Sequence, residues 1–222
     1  MLSDSRHSTA ALAVAASGVL VCGVATGQDS TEPTYGRISG DVSLVAGAGG
    51  TIGPRGARAE GELRVRYLDA AGVFATYEDA VLASASSQPG RVISGGIELR
   101  PFFLYRWLRG LETQRGQLDL AIDSVGLELG AFLSTRSTAA ADFRPGFQLG
   151  LGIEVPLEPR ATGVWVGLHG GVRWDDQALA IATVGGPMDR AAYLTMTLAW
   201  HNVVTTHIVD LSDRGPSEQR SQ

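Results

Sequence analysis

Two histidines and a handful of carboxylates are the residues of this sequence best suited to chemistry. His169 and His201 each fall on the polar side of an alternating stretch, and neighbouring segments could bring them together, with Glu128 or Glu154 orienting one imidazole. A serine beside such a pair would make the Ser–His–acid arrangement of acyl transfer. No His-x-Ser spacing follows either residue and no serine stands out, so both imidazoles are expected to fill space and hydrogen-bond carboxylates. Glu60/Glu62 and Glu98/Glu128 would suit glycoside hydrolysis as paired acids. Their interleaving with Arg64, Arg66 and Arg100 points instead to salt bridges. Two histidines without a local carboxylate ligand pattern make a weak metal site, and no repeated carboxyl loop suggests calcium. All 18 cations are Arg, so a phosphate loop that needs Lys cannot form. Gly47-x-Gly49 and Gly150-x-Gly152 lie in or beside strands and open no helix, which argues against dinucleotide binding. No catalytic residue, cofactor or metal is expected.

The elements that carry these residues begin after a distinct leader. An uncharged run, Thr9–Ala25, follows Arg6 and ends at Ala25-Thr26-Gly27, a small-x-small pattern before polar Gln28-Asp29-Ser30. Residues 1–27 therefore read as a cleaved signal peptide. The alternative, a membrane anchor, sits at the lower limit of spanning length. Cys22, the one cysteine, falls inside that run and follows Val21, not a small residue, which disfavours a lipidation site. The remaining chain would then hold no cysteine and suits an oxidising compartment. Charged residues make up 18%, mean hydropathy is +0.07, and net charge is −5, which excludes long disorder and a nucleic-acid binder.

Beyond the leader the sequence alternates with period two, the signature of strands with two unlike faces. Ile38, Gly40, Val42 and Leu44 oppose Arg37, Ser39, Asp41 and Ser43. Gly61, Leu63, Val65 and Tyr67 oppose Glu60, Glu62, Arg64 and Arg66. Five more stretches repeat the pattern, around 93–100, 125–131, 147–155, 164–174 and 192–201, and Val73–Val81 is a weaker eighth strand. Between them, Gly49–Gly56, Ser84–Gly90, Thr135–Arg144 and Asp175–Arg190 read as loops, and Asp69–Gly72 and Leu157–Thr162 as turns. Phe103, Trp107, Leu108 and Leu111 recur near helical spacing, which predicts a short amphipathic helix at a membrane interface after strand 4, or else a bent extension of that strand. Residues 205–222 form a polar tail.

Alternation alone does not say which face meets solvent. A soluble barrel would turn its apolar face inward, and a membrane barrel would turn it to lipid. Strands of about nine to twelve residues match a tilted membrane strand. Tyr67, Phe103, Trp107, Trp174, Tyr193 and Trp200 cluster at strand ends, as interfacial girdles do. The polar faces set Arg37, Arg64, Arg66, Arg100 and Arg173 against Asp41, Glu60, Glu62, Glu98, Glu128 and Glu154, a balance that lets charges pair in a narrow lumen beside His169 and His201.

In these features residues 36–204 resemble the small bacterial outer-membrane β-barrels of the OmpA/OmpX type. Tyr193–Trp200 is similar to the terminal assembly strand of such barrels, although 22 residues follow Trp200. The resemblance implies an all-β fold, a single up-and-down antiparallel eight-stranded transmembrane barrel. It also implies outer-membrane lipid and the barrel-assembly machinery as partners, a monomer, and a structural or surface-interaction role with the lumen plugged by Arg and carboxylates. An exported soluble barrel binding a small apolar ligand, and an outer-membrane lipid-modifying enzyme, are the alternatives.

Overall fold

A computed structural model of the chain describes residues 42–53, 56–80, 91–111, 113, 115–135, 143–175 and 190–206. Eight strands carry the fold: β1 (Val42–Gly53), β2 (Gly56–Tyr67), β3 (Ala71–Asp79), β4 (Arg91–Leu99), β5 (Gly126–Thr135), β6 (Phe143–Pro156), β7 (Gly163–Asp175) and β8 (Arg190–Val204). Each pairs antiparallel with its sequence neighbour, and β8 returns to β1, closing a barrel. Closure matters because it pairs the edge strands that an open sheet would leave bare. Helices α1 (Pro101–Arg109) and α2 (Gly116–Asp123) join β4 to β5. They share one end of the barrel with the β2–β3 and β6–β7 turns; the end where β1, β3, β5 and β7 finish is the loop end.

The strands run longer than the sequence pattern suggests, with β8 reaching 15 residues. The largest difference is at 49–56, expected to be a glycine loop. Here β1 runs to Gly53 and β2 starts at Gly56, so only two residues separate them. Asp69–Gly72 also shifts. Leu68 and Asp69 form the turn, both with positive φ, and Gly72 lies inside β3. A Cβ on Gly72 would sit 2.3 Å from the Val65 carbonyl oxygen, so close approach of two strands, not turn geometry, demands glycine there.

Gly96 is the same device on β4. A Cβ there would lie 2.1 Å from the Leu129 oxygen and 2.5 Å from Gly130 Cα, both backbone atoms of β5. A neighbouring strand can yield only by losing its ladder. Gly96→Ala is therefore expected to destabilise the barrel by about 1–3 kcal/mol, the usual cost of overpacking. A fall in the denaturant midpoint would register it, and an unchanged midpoint would show that β5 moves freely.

The predicted helix after strand 4 is a two-helix hairpin. Pro101 starts α1, where its missing N–H costs nothing. Gly110, with φ 61°, ends it: its N–H reaches the Trp107 carbonyl and Leu111 N–H reaches Arg106 O, the paired bonds of a left-handed cap. Arg106 then ties α1 to α2. It donates to Asp123 Oδ1 at 2.9 Å and to the Asp119 carboxylate and carbonyl. Thr113 donates to the same Asp119 carboxylate from its backbone N–H and its hydroxyl. Burial raises the Asp119 pKa, but the hydrogen bonds from Thr113 and Arg106 outweigh it, so the carboxyl sits below its usual 3.8. A depressed carboxyl stabilises the fold above its unfolded pKa. That contribution is lost as pH falls through the lower folded value. The hairpin should thus hold firmly above about pH 4 and loosen on further acidification. Asp119→Asn should remove that acid sensitivity, read as hydrogen exchange of the α2 amides against pH; retained sensitivity would assign it elsewhere.

Candidate functional site: the charged lumen

The barrel interior is lined by ions. Glu60, Glu62, Arg64, Arg66, Glu98, Arg100, Glu128, Glu154, His169, Arg173 and His201, each anticipated on a polar face, are all buried. Arg37 and Asp41 lie outside the described residues. Period-two geometry explains the placement: on β2, Glu60, Glu62, Arg64 and Arg66 alternate with Gly61, Leu63, Val65 and Tyr67, so successive side chains leave opposite faces.

Arg64 is the hub of the half nearer the helices. Its Nε donates to Glu62 Oε2 at 2.9 Å, and its Nη1 donates to Glu98 Oε2 at 3.0 Å and Glu128 Oε1 at 2.6 Å. Its guanidinium carbon lies over the Phe74 ring, 5.6 Å from the centroid, a cation–π contact. Arg66 bonds Glu98 at 3.1 Å and Glu154 at 2.7 Å. Arg100 bonds Glu98 and Glu154, and reaches Asp69 of the β2–β3 turn at 3.1 Å. Three guanidiniums thus thread five carboxylates, from four strands and the β2–β3 turn, into one network.

A second cluster lies toward the loop end, and the sequence pattern only partly revealed it. Arg58 and Arg173 both bond Glu78, and Arg173 also donates to Gln148 Oε1 at 3.0 Å. Tyr193 is turned inward there, with the Arg173 guanidinium 4.2 Å from its ring centre. Its assignment to an interfacial girdle is thereby corrected, as is that of Phe103, which is buried under α1. Thr51 bonds the Glu60 carboxylate and lies 2.8 Å from the Thr195 hydroxyl. Arg58 and Glu78 were missed. Arg58 continues the β2 alternation one step before Glu60, between the expected loop and the stretch that alternates cleanly. Glu78 shares a face with Phe74, whose apolar type hid it.

Long side chains from β2, β4, β5 and β6 need room, and glycines opposite them provide it. A Cβ on Gly47 would lie 2.7 Å from Glu62 Oε1, and one on Gly152 would lie 2.3 Å from His169 Nδ1. At the helix end the lumen is floored by Leu120 of α2, Ala161 and Trp165. Trp165 stacks on His201 with centroids 4.4 Å apart, and its indole N–H donates to Ala161 O.

The histidines do meet the expected carboxylates. His169 Nδ1 is 2.8 Å from Glu128 Oε1 and 3.2 Å from Arg64 Nη2, and His201 Nε2 is 3.7 Å from Glu154 Oε2. Among the described residues neither Nε2 has a hydrogen-bond partner. Nor do the described residues hold a group of three or more potential ligands arranged for a metal. Chemically the arrangement is a network of buried ion pairs, in which Arg58 Nε, Glu62 Oε1 and Arg66 Nη1 have no hydrogen-bond partner among the described residues.

The exterior is the complement. Leu, Ile, Val and Met side chains stand exposed on all eight strands, among them Leu63 at 62% and Met196 at 63%. The exposed aromatics keep to the ends. Tyr67, Trp200, Phe102, Tyr105 and Trp107 lie toward the helices, and Tyr77, Phe143 and Phe147 lie toward the loops. No helix among the described residues is long and apolar enough to cross a membrane. No protein-family model and no curated protein matches the chain.

Proposed function

We propose that the chain is an integral bacterial outer-membrane β-barrel with a structural or surface-interaction role, its lumen sealed by paired Arg and Glu. The observation that carries this reading is the inversion: an unbroken apolar exterior around a charged interior. Soluble monomers seldom expose apolar patches beyond a few hundred Å², and this belt circles the whole barrel. Hydrocarbon is the solvent that suits it, and a closed barrel is the one sheet that leaves no unpaired backbone group there. Aromatic residues at both ends with aliphatic ones between fit the two interfaces. A barrel of eight strands is just wide enough to be filled by side chains, so it should insulate and not conduct. The leader at 1–27 accords with export, and the alternating β8 strand ending near Trp200 accords with recognition by the barrel-assembly machinery.

Expression of the full chain in a Gram-negative host tests this. The protein should stay with outer-membrane lipid through a high-salt wash, dissolve only in detergent, and migrate faster on a gel unboiled than boiled. Full release by salt alone would overturn the reading.

A further inference from the structure

One feature of the helix end is unexplained by a sealed barrel: α1 wears its apolar face outward. Phe103 is buried and Arg106 is occupied with α2, but Phe102, Leu104, Tyr105 and Leu108 point away from the protein. Leu108, at 69%, is the most exposed large apolar side chain of the described residues. A helix in water would turn this face in. At nine residues α1 is about 13 Å long, far short of a bilayer, so it can lie along a membrane but not cross it.

We propose that α1 is a phospholipid-binding element. Leu104, Tyr105 and Leu108 sit in the acyl boundary of the leaflet at the helix end, and Arg109 and Arg115 bind lipid phosphates. Two observations select lipid as the occupant. First, only Arg100 separates α1 from Leu99, the last exposed residue of β4, so the helix face continues the apolar belt without a polar break. Second, the charges of the hairpin's described residues are sorted. The acids Asp119 and Asp123 turn inward to Arg106, while Arg109 and Arg115 remain exposed. Arg109 holds its guanidinium carbon 5.8 Å from the Tyr105 ring centre, at the border of the apolar face, where a long cation reaches from acyl chains to headgroups. The proposal rests on the membrane reading above.

The test separates the two. In a Cys22→Ser background, Leu108→Cys and, on the belt, Met196→Cys carry an environment-sensitive fluorophore. Each full-length protein is folded into vesicles of phosphatidylcholine, alone or doped with phosphatidylglycerol, and quenched with aqueous iodide or with lipid-borne nitroxide. Unboiled gel mobility reports folding for every variant. Both labels should be shielded from iodide and quenched by nitroxide. Shielding at 108 should increase with phosphatidylglycerol, and Arg109→Glu with Arg115→Glu should abolish that increase. Each Arg is worth about fivefold in partition, from about 1 kcal/mol per cation near an anionic surface. Shielding at 196 with iodide access at 108 would overturn the proposal and leave the barrel's membrane reading intact. Access at both would overturn the two together. Shielding at 108 that ignores both the lipid charge and the arginine changes would overturn the phosphate contacts.

Discussion

Arg64→Leu should be among the most damaging single changes in this protein, costing about 3–5 kcal/mol, the typical effect of removing one partner from a buried ionic pair. The size follows from geometry. Arg64 touches Glu62, Glu98 and Glu128 at 2.6–3.0 Å and lies 3.9 Å from Glu154. Leu fills some of the volume but offers no donors, so carboxylates stay desolvated and lose their closest cation. The described lumen holds Arg58, Arg64, Arg66, Arg100 and Arg173 against six glutamates, Glu60, Glu62, Glu78, Glu98, Glu128 and Glu154. Removing one guanidinium leaves four of them among those six glutamates. Glu128→Gln in the Arg64→Leu background should recover part of the loss, since one stranded charge is then gone, and such coupling is what a mutant cycle measures. Chemical unfolding in lipid vesicles, monitored by unboiled mobility and tryptophan emission, reads both. If the single variant unfolds at the wild-type midpoint, the network does not hold the barrel.

Leu63→Arg tests the other face of the same strand. Its side chain stands exposed one residue from Arg64, and its ladder partners Ala46 and Ala75 are also small and apolar. Near the bilayer midplane an arginine on the lipid side costs about 2–4 kcal/mol. In a soluble barrel the same substitution would exchange an exposed leucine for an exposed arginine and cost almost nothing. Stability should therefore fall in vesicles, and the fall should shrink when the position is moved toward either rim, as with Ile52→Arg. An equal, negligible effect at 63 and 52 would remove lipid from the account.

Much of this fold could be read directly from period two. On β2, β5, β6 and β8 the sequence alternates cleanly enough to assign both faces, and Glu128, Glu154 and His169 stand where alternation puts them. The pattern failed where residue type and position disagree. Phe74 and Trp165 are apolar yet face inward, because Arg64 and His201 use their rings as cushions. Tyr193 belongs to the same class. Aromatic type says that a ring must be covered and not by what. Gly49 and Gly50 announce a loop by propensity, but in a tightly coiled sheet glycine is also the residue that lets two strands touch. The α1–α2 hairpin was only half visible, since the ion pair that fixes it joins Arg106 to residues thirteen and seventeen positions away.

The reach of Arg64 also constrains how the molecule can be made. Its partners come from β2, β4, β5 and β7, of which only β4 and β5 pair with each other in the sheet. Before β1 meets β8, Arg64 can keep Glu62 of its own strand, but Glu98, Glu128 and His169 lie across a gap that only closure removes. A half-rolled sheet in hydrocarbon would present bare guanidinium to lipid tails. If the barrel is a membrane protein as proposed, insertion and curling would advance as one cooperative event, completed from an aqueous margin, with no stable partly threaded intermediate.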